Sequence, residues 1–198
     1  EEEEHGEEGE EEGEEEGEEH EESGLDPHFW LNPQMMIDAV DEVEAALVEA
    51  SPDDAEALRT GAERYRDDLG ALDEEMESSL SNCQRDEIVT SHAAFFYLAE
   101  RYGLTQLPIA GVSPEAEPDA ARLADLADQI EAEGITTVFF ETLVSPDVAE
   151  TLAREASVDT AVLNPIEGLT EDELDEDKDY AAVMRENLAA LTGALGCS

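Results

Sequence analysis

From residue 86 onward the chain alternates. "DEIVT" (86–90), "TQLPIAG" (105–111), "ITTVFFE" (135–141) and "VDTAVLN" (158–164) are short strand-like runs. Between them lie "SHAAFFYLAERYG" (91–103), "DAARLADLADQIEAEG" (119–134) and "SPDVAETLAREA" (145–156), which read as helices with caps or glycine stops. Strand and helix in strict alternation leave little topological freedom. The strands must run parallel, joined by right-handed crossovers that lay helices over the sheet. The expected fold class is therefore α/β: one lobe with a four-stranded parallel sheet flanked by helices and ended by a helix from about 179 to 195. Ligands of such sheets gather at the carboxyl ends of the strands.

Two helices come before the sheet. Asn32 and Pro33 open the first as cap and first residue, and Met36, Val40, Val43, Leu47 and Ala50 mark one apolar face. "SPDD" (51–54) restarts the helix, with Ser51 expected as its cap. Leu58, Ala62, Tyr65, Leu69, Leu72, Met76 and Leu80 then carry the rhythm for about 28 residues, about 40 Å of helix. So long an element reads as a spine that crosses one lobe or links two. Three parts are expected: a Glu/Gly/His segment at 1–23, with nothing apolar to bury and hence disordered; a turn and linking helices at 24–81; and an α/β lobe at 82–198.

Charge narrows the function. The chain has 56 acidic residues against 9 basic, a formal charge of −47. Sixteen of the acids fall in residues 1–22, so the acid excess runs through the folded part as well. Nucleic-acid binding needs clustered Lys and Arg, and no such cluster exists. An anionic membrane surface would repel the chain. Self-repulsion of this size is relieved by salt, which points to a halophile, and among halophiles to a haloarchaeon. No apolar run approaches the roughly 20 residues of a membrane span. With neither an initiator Met nor a signal peptide, the sequence reads as the later part of a longer protein. Two cysteines, Cys83 and Cys197, end predicted helices. Two buried thiols and one disulfide remain equally open on this pattern.

Histidine is scarce, with four in the chain, and two of them sit at informative places. His28 lies in "DPHFWLNP", locked behind Pro27. It is either filler at a helix start or a ligand held on a rigid turn. His92 follows the first strand as the expected first residue of its helix, where the helix dipole would keep the ring neutral. Glu167, in "NPIEG", follows the last strand. Glu141 follows the third, and Glu115 and Glu117 follow the second. Taken singly, each acid in so acidic a chain is a solvated group. His28, His92 and Glu167 together are candidate metal ligands. Two imidazoles and a carboxylate suit Zn²⁺, with Mn²⁺ next. His5 and His20 in the tail are at most occasional ligands. Ser91 beside His92 does not make a nucleophilic relay by adjacency, and neither a G-x-S-x-G elbow nor a glycine-rich phosphate loop is present.

"DPHFWLNP", "TSHAAFFYLAERYGL", "GVSPEAEP", "FFETLVSP" and "LNPIEGL" together resemble the zinc-binding solute receptors of bacterial and archaeal ABC transporters, in the zinc/manganese cluster. The resemblance spans residues 24–198. It implies a bilobal receptor with a long linking helix, a metal between the lobes, and a first lobe that lies upstream of this chain. It assigns His28, His92 and Glu167 as three of four ligands, with zinc as transported cargo and manganese as the alternative. It implies no enzymatic activity, an ABC permease as partner, a monomer, and a place on the outer face of the membrane or in the periplasm, anchored through upstream residues. It favours a Cys83–Cys197 disulfide. Without its first lobe the chain is expected to bind zinc weakly and to expose the apolar face of residues 36–50. A metal-dependent hydrolase and an acidic adhesin of the same fold are the competing classes.

Overall fold

The computed structural model describes residues 26–113, 118–176 and 178–198. A single 3-10 turn, Phe29–Leu31, leads into α1 (Pro33–Ala50). Asn32 caps α1 through its side chain, which accepts from the Gln34 amide, and Pro33 holds the first position as expected. The "SPDD" restart differs in detail. Pro52–Asp54 form a 3-10 turn, the Ser51 hydroxyl donates to Asp54 rather than capping the backbone, and α2 runs Ala55–Leu80. Ser51, Pro52 and Asp54 satisfy the chain reversal locally, so the long helix begins three residues later than its sequence signal.

The sheet follows as β1 (Glu87–Thr90), β2 (Thr105–Pro108), β3 (Thr137–Phe140) and β4 (Asp159–Val162), all parallel, in the order β2-β1-β3-β4. The crossovers are α3 (Phe96–Tyr102), α4 (Ala120–Glu133) and α5 (Asp147–Ala156). A short α6 (Glu171–Asp175) lies between β4 and α7 (Tyr180–Leu195), which closes the chain. Asp119 and Asp179 cap α4 and α7 through their side chains. Gly103, Gly134 and Gly196 end α3, α4 and α7 in the left-handed conformation that glycine adopts without penalty.

The central strands β1 and β3 feed two cores by alternation. Ile88 and Phe139 point to one face, where Leu72, Met76, Leu98, Leu188 and Leu191 of α2, α3 and α7 cover them. Val89 and Val138 point to the other, against Leu126, Ile130 and Leu152 of α4 and α5. The half of α2 beyond Leu69 is thereby anchored on the sheet. Its first half instead pairs with α1, and the two helices line an apolar groove of about 360 Å³ with Met36, Val40, Val43, Leu58 and Tyr65 among its walls. Val43 and Leu47 are exposed, as expected for the 36–50 face. Among the described residues, no helix is long and apolar enough to cross a membrane.

Cys83 and Cys197 form a disulfide. The same corner is clasped by the amides of Gln84 and Arg85 on the Leu195 carbonyl, the Arg85 guanidinium on the Ala194 carbonyl, and the Ser198 amide on the Asn82 carbonyl.

Candidate metal centre

Strand order reverses between β1 and β3, since β2 lies on one side of β1 and β4 beyond β3. The crevice above that switch point is where a doubly wound sheet takes ligands. His92 leaves β1 on one side of it, and Glu141 leaves β3 on the other.

His92 is not in a helix. α3 begins at Phe96, four residues later than expected, and Ser91–Ala93 form a bend. The reason lies in the His92 carbonyl, which would have to open a helical ladder. It accepts instead from the Thr90 hydroxyl at 2.8 Å, the Gln106 side chain at 2.9 Å and the Ala94 amide at 3.0 Å. A carbonyl so occupied fixes the bend, and helix-dipole control of the ring is lost with the helix. What meets the ring is Glu141. His92 Nδ1 lies 2.6 Å from Glu141 Oε1, with both side chains buried. Glu141 is therefore not the solvated acid that its setting in an acidic chain predicts.

His28 is held as tightly. Asp26 Oδ1 accepts from the His28 amide at 2.9 Å and sits 2.7 Å from His28 Nδ1. The Phe29 amide closes on the Pro27 carbonyl, and Tyr97 donates to the Asp26 carbonyl. Trp30 packs its edge near the His28 ring at 5.3 Å and donates Nε1–H to the Pro165 carbonyl at 2.8 Å. Tyr180 donates to the Trp30 carbonyl. Trp30 thus ties the turn to the loop after β4.

That loop carries Glu167. Ile166, just before it, has φ of 57°, a left-handed conformation that a β-branched residue rarely adopts, at a cost on the order of 1–3 kcal/mol. The Asn164 side chain holds it there by accepting from the Ile166 amide at 2.8 Å, while Asn187 and Glu173 fix Asn164 in turn. The kink aims Glu167 at the two rings: Oε1 is 3.2 Å from His28 Nε2 and 3.7 Å from His92 Nε2. The three ligand atoms lie within 4.8 Å of one another, slightly more than the roughly 4 Å that two bonds near 2 Å to one ion can span, so small side-chain shifts would bring all three onto one ion. His92 Nε2 is buried with no hydrogen-bond partner. An orphaned buried nitrogen costs free energy unless something else uses its lone pair.

The match to a family model for "ZnuA: Zinc-uptake complex component A periplasmic" covers residues 2–194. The chain belongs to the ZnuA family. It is 43% identical over 187 residues to the zinc-binding lipoprotein AdcA of Streptococcus pneumoniae, covering 94% of this chain and 35% of that protein. It is 39% identical over 171 residues to the high-affinity zinc uptake system protein ZnuA of Bacillus subtilis, covering 86% of this chain and 54% of that one. The crystal structure of the Zn(II)-bound ZnuA-like domain of the S. pneumoniae AdcA superposes with a TM-score of 0.75 at 42% identity, over 86% of this chain and 64% of that chain. The ZnuA-family chain thus spans about a third to a half of these curated relatives' lengths. Streptococcus and Bacillus are bacterial genera, and these relatives lend no support to a haloarchaeal source.

Three functional features escaped the sequence reading: Glu141 as partner of His92, Asp26 as partner of His28, and the kink at Ile166. Asp26 was signalled by its place two residues before His28. Glu141 needed the strand order, which puts β3 beside β1 although β2 intervenes in the chain. Glu115 and Glu117 lie outside the described residues, as do His5 and His20.

Proposed function

We propose that this ZnuA-family chain is a metal receptor, not an enzyme, with His28, His92 and Glu167 holding Zn²⁺ as cargo for an ABC permease. The observation that carries the reading is the meeting of two imidazole Nε2 atoms and one carboxylate within 4.8 Å, one of the nitrogens buried and unpartnered. Imidazole-rich sites suit zinc, whereas manganese favours more oxygen. Each ring binds through a neutral nitrogen and Glu167 as a carboxylate, so loading exchanges water for protein ligands without net chemistry. The names of the relatives, zinc-binding lipoprotein and zinc uptake protein, support transport and an extracytoplasmic location. In this reading residues 24–81 supply the first of these ligands and the spine, and residues 82–198 supply the other two. The acid excess is read as adaptation to high salt.

The test is direct because Trp30 is the single tryptophan and its ring lies beside His28. Zinc, manganese and calcium are titrated into metal-free protein, followed by Trp30 emission and calorimetry. Zinc should bind at one site with the highest affinity, and His92→Ala should weaken it at least a hundredfold. Unchanged zinc binding in His92→Ala, with the fold intact by circular dichroism, would refute the assignment.

A further inference from the structure

Two rings must offer the same nitrogen to one point, and nothing in a histidine guarantees that. A neutral imidazole carries its proton on either Nδ1 or Nε2, and only the unprotonated nitrogen can bind a metal. In this chain both Nε2 atoms face Glu167, and both Nδ1 atoms face another carboxylate: Asp26 at 2.7 Å for His28, Glu141 at 2.6 Å for His92. A carboxylate that only accepts requires the proton of the His92 ring on Nδ1, since His92 Nε2 has no hydrogen-bond partner. His28 lies between two carboxylates, Asp26 at 2.7 Å and Glu167 at 3.2 Å, so Asp26 fixes that ring's rotation without singling out one nitrogen. The two devices differ in construction. Asp26 is local, fixed by the His28 amide and the rigid Pro27 between them. Glu141 is remote, delivered by β3 from across the switch point and buried to 3% exposure.

We propose that Asp26 and Glu141 are positioning residues set before any metal arrives: Asp26 fixes the rotation of His28, and Glu141 holds His92 in the Nδ1–H form, so that both Nε2 atoms converge on one point. Neither carboxylate is a ligand. Each acts through its ring, Asp26 by fixing the rotation of His28, Glu141 by fixing the rotation and the proton of His92 and making its Nε2 a stronger donor. Partners of this kind are typically worth 10–100-fold in metal affinity. Glu141 carries the larger share, because His92 Nε2 has no other group to orient it, whereas His28 Nε2 also meets Glu167. The inference rests on the metal-receptor reading for its purpose but not for its test.

The test reads the rings without metal. In the metal-free, ¹⁵N-labelled full chain, long-range ¹H–¹⁵N correlation identifies which nitrogen of each ring is protonated. Wild-type His92 should show Nδ1–H with Nε2 bare. Glu141→Ala should move His92 towards the Nε2–H form and weaken zinc binding 10–100-fold. Glu141→Gln keeps an oxygen that accepts from Nδ1–H, so it should retain the wild-type tautomer and lose less affinity than Glu141→Ala. Should Glu141→Ala fail to fold, the wild-type and Glu141→Gln spectra decide. A proton on Nε2 of wild-type His92, or a Glu141→Ala protein whose tautomer and zinc affinity match wild type, overturns the proposal. Absence of zinc binding by the wild type would sink the receptor reading while leaving the tautomer result standing.

Discussion

Reducing the Cys83–Cys197 bridge should cost a large share of the chain's stability while leaving its folded state almost unchanged. The two cysteines are 114 residues apart, and the loop between them contains the entire sheet. For a loop of that length the chain-entropy relation gives about 4.8 kcal/mol at 25 °C, all of it from freedom restored to the unfolded chain. A domain has only about 5–15 kcal/mol in total. The folded corner has independent reason to stay closed, since the Gln84, Arg85 and Ser198 hydrogen bonds clasp it without the sulfurs. The double variant Cys83→Ser/Cys197→Ser, unfolded in urea beside the oxidised wild type, should lose about 3–5 kcal/mol, with a larger m-value from a more expanded unfolded state. His92 and Glu167 lie inside the loop and His28 outside it, yet zinc affinity well below the transition should change less than threefold, because the native contacts persist. A loss under about 1 kcal/mol would refute the reasoning. So would a zinc affinity that collapses in the folded variant, for then the bridge would be shaping the native site.

Acid should attack a second hub. Asp73 on α2 is buried and accepts from Gln34 of α1 and from Arg101 and Tyr102 of α3. Burial pushes its carboxyl up, but the bonds from Arg101, Gln34 and Tyr102 outweigh that and hold it below the usual 3.8. A carboxyl lowered by folding stabilises above its unfolded value and loses that advantage as pH falls through the folded one. The stability gap between wild type and Asp73→Ala, about 3 kcal/mol at pH 7 for breaking a buried pair, should shrink steadily below pH 4; a gap that stays constant to pH 2.5 in denaturant titrations would contradict it. With a formal charge of −47, the midpoint of thermal unfolding should rise as KCl increases from 0.1 to 2 M, and a flat or falling midpoint by calorimetry would remove the case for salt adaptation.

The sheet was legible because its signals are local. Ile88-Val89 and Val138-Phe139 alternate faces within a few residues, and Gly134 stops α4 where the pattern says it must. The three candidate ligands were legible because each sits in a short motif or at a strand end. What local patterns could not supply was competition for a single group. Ser91-His92 has a good helix-start sequence, yet Thr90 and Gln106 take the His92 carbonyl first, and Gln106 comes from the neighbouring strand. Glu141 looked like one acid among 56. Only the pairing of β1 with β3 turns it into the partner of a buried ring. The left-handed Ile166 has no sequence signature at all, since its cause is the Asn164–Asn187–Glu173 network closing from α6 and α7.

The charge and the site divide the labour in the proposed receptor. A surface so negative raises the local concentration of every cation, so it speeds encounter without choosing among metals. Choice needs donor atoms of a particular kind, and those are the two Nε2 atoms beside Glu167. The two contributions respond differently to salt. Screening reaches surface charge, with a Debye length near 3 Å at 1 M, but hardly touches the two buried rings. The association rate for zinc, measured by stopped-flow on Trp30 emission, should therefore fall as NaCl rises from 20 mM to 1 M. The ratio of zinc to manganese affinity should hold within a few-fold over the same range. A ratio that falls in step with the rate would mean that surface acids, not the buried rings, decide which metal is kept.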